Sequence, residues 1–127
     1  GTLLKKGTAI AVLSVGAILK NVQTAIESIS ENKSIGCYDM RFIKPLDERL
    51  LHEIFYQYKV IITVEDGVIT GGFGSAIAEF ATTYHYKNTL KILGVPDAFP
   101  EHGSIAELQH EAGISSEAIR RTLQTFL

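Results

Sequence analysis

A glycine-rich segment is the part of this sequence that most suggests chemistry. It follows an apolar run that predicts a buried strand and precedes a stretch with helical spacing. At such a junction the free backbone N–H groups and the dipole of the helix could bind an anion. In open parallel sheets, ligands also collect beyond the carboxyl ends of the strands. One hypothesis is therefore a ligand-binding loop built from Thr70, Gly71, Gly72, Phe73, Gly74 and Ser75.

Three features of the same segment argue against a bound phosphate. It lacks the lysine of the P-loop pattern, and Ile77 stands where the dinucleotide fingerprint requires glycine or alanine. Glu65 and Asp66 also place two carboxylates just before it, which would repel an anion. The favoured interpretation is that the glycines permit a tight turn and close packing of the helix on a neighbouring surface. Ligand binding remains the alternative.

Two charged residues follow the ends of predicted strands. Glu65 lies at the carboxyl end of a central strand, where catalytic carboxylates often lie, but no partner base is evident. A solvated or hydrogen-bonded strand-end carboxylate is the favoured interpretation. Arg41 follows another strand and could clamp a carboxylate or phosphate. Pairing with an acidic group on a partner surface is favoured for it.

The histidines and the single cysteine do not form a recognisable reactive group. No two of the four histidines have the i, i+4 spacing of a metal site, and Cys37 has no second cysteine to join it, so no zinc site is predicted. His102 could face a substrate, although a structural loop histidine is favoured. Cys37 is expected to be a buried, inert thiol. We therefore expect no catalytic, cofactor-binding or metal-binding residue in this chain.

The elements that would position these residues alternate along the chain. Four apolar runs predict buried strands, and the stretches between them have helical spacing, with Asp47 and Ser115 as N-caps. Thr2–Lys5 is a possible additional edge strand. Alternating elements with doubly buried strands favour an α/β domain with a mainly parallel sheet and helices on both faces. The predicted strands are Thr8–Val15, one within Ser34–Ile43 that is centred on Ile35–Met40, Lys59–Val64 and Thr89–Val95. The predicted helices are Ala17–Glu31, Asp47–Tyr58, Ser75–Tyr86, Ser104–Gly113 and one following Ser115.

Length and composition fit one globular domain spanning residues 1–127. The hydrophobic fraction is 46%, the charged fraction 20% and the net charge −2, which excludes a disordered chain and a strongly basic nucleic-acid module. The single cysteine is typical of a reducing compartment, so we expect a cytoplasmic protein. No apolar run is long enough to span a bilayer, and we expect neither membrane nor nucleic-acid partners. Because the first residue is Gly1, we expect a piece of a longer protein.

Several motifs together resemble one enzyme family. They are Asp39–Glu48 (DMRFIKPLDE), Val64–Gly67, Gly71–Ser75, Leu93–Asp97 and Glu101–Gly103, in that order. From Thr8 to Leu127 the chain is similar to the C-terminal domain of the 1-deoxy-D-xylulose-5-phosphate synthase family, within the transketolase-like, thiamine-diphosphate-dependent enzymes. This resemblance implies a three-layer α/β/α domain with a mixed, mostly parallel five-stranded sheet.

The resemblance also implies a function for the parent enzyme and a supporting role for this domain. The parent would condense pyruvate with glyceraldehyde 3-phosphate, releasing CO₂, to supply isoprenoid, thiamine and pyridoxal synthesis. Thiamine diphosphate and Mg²⁺ would be bound by domains absent here, and the parent would be a homodimer. This domain would be inactive alone and would dock onto the pyrimidine-binding domain. The docking candidates are Arg41, Glu65, Gly71, Gly72, Phe73, Gly74, Ser75, Glu101, His102 and Gly103, with Val68, Ile69 and Phe73 forming an exposed apolar patch.

Two alternatives remain open at the level of the sequence. The glycine-rich segment alone is shared with transketolases and with β subunits of 2-oxo-acid dehydrogenases, so the chain could belong to either of those. It could also be a free-standing nucleotide- or flavin-binding module. That module would bind its ligand at the glycine-rich segment.

Overall fold

A computed structural model describes residues 1–41, 46–66, 72–94 and 113–127. In these ranges five strands form one sheet, four α-helices pack on it, and a 3₁₀ turn at Asn32–Ser34 precedes the third strand. The predicted helix Ser104–Gly113, apart from Gly113 itself, lies outside the described residues, and so do six of the residues proposed for docking or for the apolar patch. The elements are β1 Thr2–Lys5, β2 Ile10–Val15, α1 Leu19–Glu27, β3 Ile35–Met40, α2 Glu48–Gln57, β4 Val60–Glu65, α3 Phe73–Thr83, β5 Thr89–Gly94 and α4 Ser116–Thr125. The six docking or apolar-patch residues outside the described ranges are Val68, Ile69, Gly71, Glu101, His102 and Gly103.

The sheet is mixed and mostly parallel, as predicted. Its strand order is β1-β3-β2-β4-β5, with β1 antiparallel to β3 and the other four strands parallel. The four parallel strands therefore end together, at a side of the sheet that we call the carboxyl edge; it is formed by Val15, Met40, Glu65 and Gly94. Because β1 runs the other way and Thr2 pairs with Asp39, the chain enters the domain at this same edge.

Two hydrophobic cores lie on opposite faces of the sheet. On one face, α1 and α4 pack against the sheet through residues such as Val22 and Ile119. On the other face, α2 and α3 pack through residues such as Ile54 and Ile77. Every residue of β2 is buried, as expected for a central strand covered by helices on both sides. The predicted α/β architecture with three layers is confirmed.

Local capping signals locate two of the helices correctly. The Asp47 side chain accepts a hydrogen bond from the backbone N–H of Leu50 at 3.2 Å, and the Ser115 hydroxyl accepts one from Ala118 at 3.1 Å. Both predicted N-caps are confirmed. The first helix is shorter than predicted, because α1 ends at Glu27 and the chain turns through the 3₁₀ segment before β3. No helix of the described ranges is long and apolar enough to cross a membrane.

Candidate functional site

The described part of the glycine-rich segment, residues 72–75, lies at the carboxyl edge, and we call it the glycine rim. Gly72 has a φ of +86°, a backbone conformation that favours glycine, and α3 begins directly after it at Phe73. The helix therefore starts two residues earlier than predicted. As a result, Phe73 and Gly74 belong to its first turn and not to the preceding loop.

The carboxylate of Glu65 occupies the start of α3. Its Oε2 accepts a hydrogen bond from the backbone N–H of Phe73 at 3.0 Å, and its Oε1 accepts one from Gly74 at 2.9 Å. The first N–H groups of a helix lack partners within the helix, and a negative charge there is favoured by the helix dipole. The chain's own side chain thus takes the place of a bound anion. The interpretation of Glu65 as a hydrogen-bonded strand-end residue is confirmed.

The position of Glu65 also decides what it can contribute to docking. Only 6% of the residue is exposed, and the carboxylate faces the start of α3. A phosphate or pyrophosphate at the start of α3 would have to displace this carboxylate and desolvate a second charge beside it. The residues present at the rim therefore do not fit the pyrophosphate of a cofactor.

Close packing explains why the rim has a glycine at position 74. A Cβ added at Gly74 would lie 2.5 Å from Cγ2 of Ile92 and 3.0 Å from Oγ1 of Thr63. The Thr63 hydroxyl is fully buried and has no hydrogen-bond partner among the described residues. The favoured interpretation, that the glycines allow α3 to pack tightly on a neighbouring surface, is confirmed at Gly74. That surface is the domain's own sheet.

Phe73 does not belong to an exposed apolar patch, so this expectation is wrong. Its side chain is fully buried in the core beneath α2 and α3. The reason is the early start of the helix: Phe73, Ile77 and Phe80 are spaced i, i+4 and i+7, and this helix face packs on the sheet. Gly72 and Ser75 are the rim residues that remain exposed in the described part of the chain.

Arg41 shares the carboxyl edge with the glycine rim. It follows the last residue of β3 and is exposed. Since β2 lies between β3 and β4, the ends of those two strands are roughly 10 Å apart. The structure thus brings Arg41 and the described rim residues to one edge of the sheet. Gly71, Glu101, His102 and Gly103, the other docking candidates, lie outside the described residues.

The potentially reactive side chains away from this edge have structural environments. Burial in β3, together with the Asp39 carboxylate, raises the pKa of the Cys37 thiol to about 11, so the thiol is neutral near pH 7. His52 packs against aromatic rings, with its ring centroid 4.6 Å from that of Tyr84, and its Nδ1 lies 2.5 Å from the Tyr86 hydroxyl. Within the described ranges, no three His, Cys, Asp or Glu residues are grouped closely enough to hold a metal ion.

Sequence reasoning also missed that Gly1 and the start of β1 lie at this edge. Gly1 lies against the side chains of Met40 and Leu50, where a Cβ would come within 2.9 Å of both. The contact lies at the carboxyl end of β3 and the first turn of α2. The short apolar stretch at Thr2–Lys5 indicates an edge strand in the sequence. It does not indicate whether that strand is parallel or antiparallel, or which strand it pairs with.

Comparisons with known proteins agree with this geometry. Residues 1–119 match the family described as "Transketolase, C-terminal domain". The chain is 53% identical over 125 residues to 1-deoxy-D-xylulose-5-phosphate synthase of Parabacteroides distasonis, and 46% identical over 128 residues to that of Phocaeicola vulgatus. These matches cover 98% and 99% of this chain but only 20% of each synthase.

A solved structure shows the same fold. A chain described as "Split gene transketolase, inactive beta4 tetramer" is similar with a TM-score of 0.80 and 28% identity, over 99% of this chain and 41% of that one. The family match spans most of the residues, and the mixed five-stranded sheet with its antiparallel edge strand is the architecture that the sequence motifs implied. The chain belongs to the transketolase C-terminal domain family.

Proposed function

We propose that this chain is the C-terminal domain of a 1-deoxy-D-xylulose-5-phosphate synthase. The parent enzyme condenses pyruvate with glyceraldehyde 3-phosphate and releases CO₂. The support is the level of identity, 43–53% to several synthases of that name over nearly the whole chain. A free-standing nucleotide- or flavin-binding module is not favoured, because the Glu65 carboxylate already occupies the rim where such a ligand would bind.

The role of this domain in the proposed enzyme is structural, and the position of Gly1 carries this part of the proposal. The synthases have about four-fifths of their length outside the matched segment, and the family description makes the segment C-terminal. The preceding polypeptide would therefore join at Gly1, which lies at the carboxyl edge. The same edge carries Arg41 and the glycine rim.

This geometry supports a docking surface at the carboxyl edge. Arg41, Gly72 and Ser75 are exposed at the carboxyl edge and would contact the pyrimidine-binding domain. Gly71, Glu101, His102 and Gly103 remain docking candidates on the sequence motifs alone. Glu65, Phe73 and Gly74 are buried and would act indirectly, by fixing the shape of the rim. Arg41 would pair there with an acidic group of the facing domain, because a guanidinium and a carboxylate form strong paired hydrogen bonds.

Catalytic chemistry is assigned to the rest of the parent enzyme. Thiamine diphosphate, when bound by the rest of the parent enzyme, would supply the electron sink that decarboxylation of pyruvate needs. The proposed enzyme would bind it, with Mg²⁺, on domains other than this one, and would be a homodimer. The isolated domain would be inactive. Consistent with a division of labour, the similar split-gene transketolase chain is described as inactive in its β₄ form.

The experiment compares the full-length protein with the 127-residue chain. The full-length protein should form 1-deoxy-D-xylulose 5-phosphate from pyruvate and glyceraldehyde 3-phosphate, whereas the chain alone should form none. Arg41→Glu should weaken activity or thermal stability of the full-length enzyme. Lys87→Glu is the matched control. Lys87 is exposed just before β5, where the parallel strands begin and therefore away from the carboxyl edge. Absence of the condensation, or equal effects of the two substitutions, would contradict the proposal.

A further inference from the structure

Strand β1 forms one outer edge of the sheet and carries two exposed leucines. Leu3 is 48% exposed and Leu4 is 43% exposed, although they are neighbours in the chain. The pairing with β3 shifts register between Leu3 and Lys5, which interrupts the regular alternation along the strand. Beyond these side chains, the outer backbone groups of β1 pair with no other strand of the described residues.

The usual protection of an edge strand is weak along this part of β1. Natural edge strands are commonly protected by charged side chains, lysine above all. The Lys5 ammonium is turned inward and donates hydrogen bonds to the backbone carbonyls of Asn32 and Ile35. The other outer strand, β5, also exposes an apolar side chain, Ile92 at 45%, but it carries the exposed charge of Lys91 directly beside it. The apolar part of β1 is therefore an edge that favours contact with another surface.

We propose that, in the parent protein, the outer side of β1 is an interface covered by the segment of the same polypeptide that precedes Gly1. This inference rests on the proposed function. The preceding segment would join at the first residue before β1, and the related synthases have four-fifths of their length to supply it. A tethered segment is present at high effective concentration beside its attachment point, so even a small apolar surface can hold it.

The test is cysteine labelling of the full-length protein in which other reactive cysteines have been replaced. Leu3→Cys and Leu4→Cys are compared with Leu127→Cys, since Leu127 has the same 43% exposure as Leu4 but lies at the other end of the chain. A soluble maleimide should label the Leu3 and Leu4 variants about tenfold or more slowly than the Leu127 variant. The protection should not change when the protein is diluted.

Each other outcome overturns the inference. Labelling of both β1 variants as fast as the Leu127 variant would show that nothing covers this edge. Protection that disappears on dilution would show a second copy of the protein as the occupant. The proposed function is tested separately from the interface. If the full-length protein performs the condensation but its β1 variants are labelled freely, the interface is refuted and the proposed function stands. A protein without that activity refutes the proposed function whatever the labelling.

Discussion

Substitution of Glu65 is expected to destabilise the domain by removing the cap of α3. Its carboxylate accepts hydrogen bonds from the backbone N–H groups of Phe73 and Gly74, and all three residues are buried. Glu65→Gln keeps the shape of the side chain but loses the charge and turns one acceptor into a donor. Glu65→Ala removes both acceptors.

The size of the effect follows from the buried donors. A buried donor left without a partner costs about 1–3 kcal/mol, and two are left by Glu65→Ala. Removing the carboxylate also ends the desolvation cost of a buried charge, which offsets part of this loss. We expect the free energy of unfolding to fall by about 2–5 kcal/mol for Glu65→Ala and about 1–3 kcal/mol for Glu65→Gln. These are large fractions of a typical total stability of about 5–15 kcal/mol.

Urea unfolding followed by circular dichroism measures these changes. Glu79→Gln is the matched control, because Glu79 is an exposed carboxylate on the same helix, and its substitution should change stability by less than about 0.5 kcal/mol. Acetate should partly restore the stability of Glu65→Ala and leave the unsubstituted chain unchanged, since only the variant offers a vacant anion site. Equal effects of Glu65→Gln and Glu79→Gln, or a loss below about 1 kcal/mol for Glu65→Ala, would refute the capping role.

Three further predictions concern the interior. Gly74→Ala should lower the unfolding free energy by about 1–3 kcal/mol through its clash with Ile92, and Ile92→Ala should reduce that loss in a double-mutant cycle. Tyr58→Phe should cost about 1–3 kcal/mol in denaturant unfolding, because the Tyr58 hydroxyl is the acceptor for the buried backbone N–H of Gly7 at 3.1 Å. Cys37 should react with a thiol reagent at pH 8 far more slowly in the native chain than in the unfolded one. Folding raises the pKa of this thiol from 9.0 to about 11, so the native state holds the proton more tightly. The unfolding free energy should therefore fall as the pH rises from 9 to 11, and Cys37→Ala should reduce this fall.

The candidate site was predicted in part. The sequence indicates a glycine turn after a central strand, and it identifies Glu65 as unfavourable to a bound phosphate. It does not indicate that this carboxylate is itself the anion at the helix start, because the contact joins residues eight and nine positions apart. Capping rules consider only the residue next to a helix and its first turn. The start of α3 was therefore predicted too late, and Phe73 was assigned to the surface.

Short-range information in the sequence was sufficient for the fold class. The apolar runs, the helical spacing and the caps at Asp47 and Ser115 depend on residues within one or two turns of each other, so they can be read from the chain directly. The cap at Glu65, the burial of Phe73 and the exposure of Leu3 and Leu4 depend on which strands are neighbours and on their register. Those features were decided by tertiary structure, because only packing of the whole sheet brings distant backbone donors to a carboxylate or leaves one strand at the edge.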